Sequence, residues 1–172
     1  MPHALFNTQF GTCGIAWNES GLTGFQLPED TEERTGQSLA ARAGTQPTEP
    51  PEWVRQVIAR AQLHLEGKPQ DFSGTALDRA AVSDFQMSVY LQTQAIRPGF
   101  KKSYGEIARL MDLGRESARA VGMALAANPW PLIVPCHRVV SAGDKMTGFS
   151  APGGVRTKTR LLALEGAELL SE

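Results

Sequence analysis

The stretch that most constrains this chain is Pro135-Cys136-His137-Arg138-Val139-Val140. It follows the apolar run Leu132-Ile133-Val134, which reads as a short buried strand. Pro135 ends that run, because its fixed φ and missing N–H cannot continue a ladder. The thiol of Cys136 is thereby presented at the edge of a packed element, next to an imidazole and a guanidinium. A free thiol of pKa ~8.5 is a poor nucleophile at neutrality, and a neighbouring His or Arg lowers that value. The competing interpretation is a small buried hydrophobe, the common state of a free cysteine. The residues flanking Cys136 weigh against it.

The chain of 172 residues suffices for one medium domain or two small ones, and at 41% hydrophobic residues it can bury a core. It has no apolar run long enough to span a bilayer, so no membrane partner is expected, and its start lacks a secretory pattern. Cys13 and Cys136 offer no disulfide framework. A reducing, cytoplasmic setting is expected, one that a nucleophilic thiol requires. His3 and His64 are isolated and no ligand spacing appears, so no zinc is expected. Residues 82–172 carry eleven Lys and Arg against eight Asp and Glu, a net +3, whereas residues 1–81 carry six against ten, a net −4. A basic half joined to an acidic half suits a polyanion-binding module with a scaffold.

Along the chain, residues 12–17 and 22–27 read as strands around the turn cluster Asn18-Glu19-Ser20-Gly21, with a third strand over 5–10. Residues 29–42 suit a helix, and the proline-rich 44–51 a loop. Trp53, Val54, Val57, Ile58 and Ala61 give 52–66 a helical stripe. Cys13 lies in a strand and reads as packing. Residues 70–82 read as a linker, and Ser83-Asp84 as the cap of a helix with Phe85, Val89, Gln92 and Ile96 on one face. Residues 103–110, with Ile107, Leu110 and Met111 inward, and residues 115–127 form two further helices. They are joined by a turn at Asp112-Leu113-Gly114, a helix-turn-helix arrangement. Lys101, Lys102 and the hydroxyls of Ser103 and Tyr104 are candidate phosphate contacts.

Asn128-Pro129-Trp130-Pro131-Leu132-Ile133-Val134-Pro135-Cys136-His137-Arg138-Val139-Val140 resembles the active-site signature of the O6-alkylguanine-DNA alkyltransferases, the methylated-DNA–protein-cysteine methyltransferases. The resemblance covers residues 85–168 and is weak before them. It implies an α+β fold: a small N-terminal β-sheet plus helix domain of ribonuclease H-like type over 1–80, and a mainly helical C-terminal DNA-binding domain over 81–172. It implies a monomer that acts on double-stranded DNA containing O6-alkylguanine, with O4-alkylthymine as a second candidate, and needs no cofactor. Cys136 is the implied nucleophile and acceptor, so each molecule acts once. His137 is the base, acting through a water, and Glu165 orients it. Tyr104 assists protonation of the leaving base. Asn128 ties the recognition helix to the active-site turn. Arg119 of Arg119-Ala120-Val121-Gly122 fills the gap left by the extruded nucleotide, with Ala120 and Gly122 permitting close approach in the minor groove. Main-chain groups of Cys136 and Val139 hold the base, Phe149 stacks on it, and Ser150 donates near O6.

The chain departs from the family pattern in a longer loop at Ser150-Ala151-Pro152-Gly153-Gly154, in Glu116 where proline is frequent, and in Ile96-Arg97-Pro98-Gly99. None removes a reacting group. Three rival functions follow from the same residues: a protein that binds alkylated bases and signals lesions without transfer, a helix-turn-helix regulator, and a Cys-His hydrolase. Cys136 opposes the first, the lack of a further regulatory segment the second, and the helix pair the third.

Overall fold

The structure, a computed structural model, describes residues 1–42, 46–142 and 151–167. It divides into two compact units. The first comprises Met1–Ala80 together with Pro129–Ile133, and the second comprises Ala81–Asn128 and the described residues from Val134 onward. Among the described residues no helix is long and apolar enough to cross a membrane.

The first unit is a mixed sheet with two helices. Strands β1 (Pro2–Thr8), β2 (Gly11–Asn18) and β3 (Gly21–Gln26) form an antiparallel meander, and the two-residue β4 (Gln46–Pro47) adds to β1 in parallel, giving the order β3-β2-β1-β4. The expected strand at 5–10 therefore starts earlier, and part of the proline-rich loop pairs with it. Helices α1 (Glu32–Arg42) and α2 (Glu52–Leu65) pack on this sheet, α1 against β2 and β3 and α2 against β1. Gly14 permits the first of these contacts: a Cβ there would lie 2.7 Å from Cδ2 of Leu39, a fully buried residue of α1. The outer edge of β3 is covered rather than left open to pair with another chain. The Leu22 amide donates to the Ala76 carbonyl and the Asp78 amide to the Leu22 carbonyl, both at 2.9 Å. Further along β3, the Phe25 amide donates to the Pro129 carbonyl at 2.9 Å, and Trp130 Nε1 donates to the Leu22 carbonyl at 2.8 Å.

Residues 132–134 are buried, as an apolar run should be, but they are not a strand. Leu132 takes φ 76°, a left-handed conformation costly for a branched side chain, and this breaks the extended run. Burial of Trp130, Leu132 and Ile133 in the first unit offsets that cost.

The second unit is helical. Helix α3 (Asp84–Gln94) opens on a capping box in which Ser83 and Gln86 satisfy each other's amides. It buries Met87, Val89, Tyr90 and Thr93, a stripe rotated from the expected one. Strand β5 (Lys102–Ser103) leads into α4 (Tyr104–Leu110), capped the same way by Ser103 and Glu106. Ile107 is inward, but Leu110 is 49% exposed, contrary to expectation. Asp112 turns the chain at φ 60°, a conformation Asp tolerates. The helix expected over 115–127 is a 3₁₀ turn, Arg115–Ser117, followed by α5 (Ala118–Ala126). After the cysteine, β6 (Val139–Val140) pairs in parallel with β5, and α6 (Gly154–Leu164) closes the unit.

Candidate active site

Cys136 begins a 3₁₀ turn, Cys136–Arg138, and its own amide donates to the Val134 carbonyl at 2.7 Å across Pro135 at φ −79°, ψ 66°. That is an inverse γ-turn, which the locked φ of proline favours. Asn128 Nδ2 donates to the same Val134 carbonyl at 2.9 Å. The end of α5 is thus tied to the turn that carries the thiol. The pairing of Lys102 with Val139 and of Ser103 with Val140 brings the start of α4, with Tyr104, to the same place.

Glu165, at the C-terminal end of α6, is 8% exposed and not a solvated helix-end acid. Its carboxylate accepts from Arg138 Nε at 2.9 Å and Arg138 Nη2 at 2.8 Å, and pairs with His137 Nε2 at 2.9 Å. Arg138 Nη1 donates to the Ile96 carbonyl at 2.6 Å. The guanidinium expected to activate Cys136 is therefore engaged by Glu165. Burial instead pushes the Cys136 thiol above its ordinary value. The Asn128 hydrogen bond, the charge of Lys158 and the amides of Cys136 and His137 oppose that rise.

Lys158 is 1% exposed, donates from Nζ to the Val139 carbonyl at 2.7 Å, and lies 5.8 Å from the centre of the Tyr104 ring. Burial lowers its pKa and the Cys136 thiolate raises it. The Tyr104 hydroxyl is pushed up by burial and by Cys136. Tyr90 is fully buried, donates to the Ala124 carbonyl at 2.6 Å, and is pushed up to about 12 by burial and by Cys136. Sequence reasoning missed the roles of Lys158, Arg138 and Tyr90 here. The signal for Lys158 was its place three and four residues before Leu161 and Leu162, on the buried stripe of α6.

A cavity of about 740 Å³ lies beside α4 and α5, with Ser103, Tyr104, Arg119, Gly122 and Ser141 among its walls. Arg119 and Ala120 are exposed on α5. Gly122 faces Tyr104, where an added Cβ would meet the ring at 3.8 Å, an ordinary contact. Ser103 uses its hydroxyl oxygen to accept the Glu106 amide. Val139 is buried, with its carbonyl already accepting from Lys158. Cys136, 7% exposed, is not among the cavity walls. Phe149 and Ser150 lie outside the described residues.

With this geometry in view, the similarities to known proteins fall into one group. The methylated-DNA–protein-cysteine methyltransferase of Mycolicibacterium paratuberculosis is 34% identical over 96% of this chain and 92% of its own length. That of Methanothermobacter thermautotrophicus is 30% identical over 91% of this chain and 80% of its own length. The chain belongs to the methylated-DNA–protein-cysteine methyltransferase family. The profile of the 6-O-methylguanine DNA methyltransferase, DNA binding domain, matches residues 84–167, from the start of α3 past Glu165. In three dimensions the chain is similar to the Mycobacterium tuberculosis OGT crystallised in complex with DNA, with TM-score 0.77, 31% identity, and coverage of 96% of this chain and 93% of that one. The family membership covers both units, whereas the signature residues all lie between Asn128 and Val140.

Proposed function

We propose that this protein repairs DNA by moving the alkyl group from O6-alkylguanine in a duplex onto its own Cys136, once per molecule. The observation that carries the reading is the turn itself. A buried thiol is held by Asn128 and faces the charge of Lys158, and the adjacent imidazole is fixed by a buried carboxylate.

In this reading α4 and α5 act as a helix-turn-helix. Arg109, Arg115 and Arg119, all on the cavity wall, meet the polyanion. The target nucleotide leaves the stack at a cost of a few kcal/mol, and Arg119 occupies the space it vacates. Ala120 and Gly122 let α5 approach the minor groove closely. His137 donates from Nε2 to Glu165, so Nδ1 is its basic nitrogen and takes the thiol proton through a water. The Sγ–carbon bond forms as the carbon–O6 bond breaks. The electron pair passes to the guanine, which gains a proton with the help of Tyr104. A phenol pushed above its ordinary pKa is protonated at neutrality, as that step requires. The base is held by main-chain groups of Cys136 and Val139, with Phe149 stacking and Ser150 donating near O6. The first unit is a scaffold. The reaction suits a reducing compartment with access to DNA, and cytoplasmic placement follows from that need.

Intact-mass measurement after mixing with an O6-methylguanine duplex tests this. The protein should gain the mass of one CH₂, mapped to the peptide that holds Cys136. Cys136→Ala should bind the duplex and gain nothing. Methyl uptake by the alanine variant would place the nucleophile elsewhere.

A further inference from the structure

Met123 is the most exposed large apolar side chain among the described residues, at 67%. It stands on α5 four residues after Arg119, so the two share a face, and both line the same cavity. A single exposed Met needs no explanation on an ordinary surface. This surface is not ordinary. Arg109, Arg115 and Arg119 give it positive charge, and the acid Glu106 on the same wall is turned to the Ser103 amide at 3.2 Å. The other residues that α5 contributes beside Arg119 are small: Ala118, Gly122 and Ala126. They allow the helix backbone to come close to a ligand, and Met123 is then the one large apolar side chain that α5 brings to that wall.

We propose that Met123 is a specificity-determining residue that packs on sugar and base edges in the groove entered by α5 and so discriminates among duplexes by groove width. The inference rests on the repair reading above and adds to it a contact that carries no charge. Sugar edges in a minor groove are apolar, and an unbranched thioether adapts to them. Apolar side chains, Met included, serve as wedges in proteins that enter that groove. A-tracts keep the groove narrow and stiff, while pyrimidine–purine steps open easily. A projecting Met therefore fits the second kind of flank and obstructs the first.

The test compares methyl-transfer rates of the whole protein and Met123→Ala on two O6-methylguanine duplexes, one flanked by A-tracts and one by TA and CA steps. Free O6-benzylguanine serves as the third substrate. The wild type should prefer the flexible flank. Met123→Ala should lose roughly tenfold there, the size of one partly buried apolar contact, and should lose nothing or gain on the A-tract, where the obstruction is removed, so that the ratio moves toward one. The rate on the free base should stay close to that of the wild type. Met123→Leu, which keeps an apolar side chain of similar volume, should restore the preference. An unchanged ratio in Met123→Ala overturns the proposal, as does an equal loss on the free base or a leucine variant that behaves like alanine. If the wild type took methyl groups from neither duplex yet reacted with the free base, the repair reading would fall with it.

Discussion

A buried lysine is costly to fold around, and Lys158 is placed where that cost serves chemistry. Its ammonium satisfies the Val139 carbonyl, and its charge favours the thiolate of Cys136 while burial disfavours it. The two groups are linked, since each raises the population of the other's charged form. Cys136 begins above its ordinary value, so the rate on free O6-benzylguanine should climb as pH rises from 7 to 9, following the thiolate fraction. Lys158→Met replaces the cation with an apolar chain of similar length, a change that buried ions often tolerate in folding. It should displace the pH–rate profile to higher pH and slow reaction at pH 7 about tenfold for each unit of displacement. A profile that stays where it was would show that Lys158 does not tune the thiol.

At the level of the element, α5 joins two demands that a single helix face would not meet. Its inner face buries Val121, Ala124 and Leu125, and its outer face carries Arg119, Ala120, Gly122 and Met123. Gly122 costs helix stability without being required by the protein's own packing, because a Cβ there would meet only the Tyr104 ring at 3.8 Å. Gly122→Ala should therefore stabilise the fold by ~1 kcal/mol, seen as a higher melting temperature. Its duplex repair should slow roughly tenfold, the equivalent of ~1.4 kcal/mol of lost groove contact. A variant that is more stable and repairs at full speed would remove the close-approach role. The helix itself was legible from its alanines and its Asn-Pro stop. Its 3₁₀ first turn and the exposure of Leu110 were not, because both depend on what the neighbouring elements leave uncovered.

For the molecule as a whole, the first unit has its own reporter group. Trp17, Trp53 and Trp130 all belong to it, so tryptophan fluorescence follows its unfolding. Cys13 is fully buried in β2 and pushed up to about 12 from 9.0, chiefly by burial. A raised folded value means that the thiol's contribution is intact below the unfolded pKa and is lost as pH climbs toward the folded one. Between pH 9 and 11 the unfolded state releases a proton that the folded state keeps, so stability should drop by ~1.4 kcal/mol per pH unit from this group. The urea midpoint read by fluorescence should fall over that range, and Cys13→Ala should flatten the decline. An equally steep decline in the alanine variant would assign the titration to another group.

The sequence alone determined the adjacency of thiol and imidazole at Cys136-His137, the cap at Ser83 and the helix pair before the turn, because each is written in residues within a few positions of one another. Tertiary structure decided what surrounds them. Trp130 reaches Leu22 across 108 residues, Arg138 reaches Ile96 across 42, and Glu165 meets His137 across 28. Local periodicity holds no record of such pairings, and so it assigned Leu132-Ile133-Val134 to a strand and Arg138 to the thiol. The packing of residues 129–133 in the first unit and the burial of one carboxylate between an arginine and a histidine settled both otherwise.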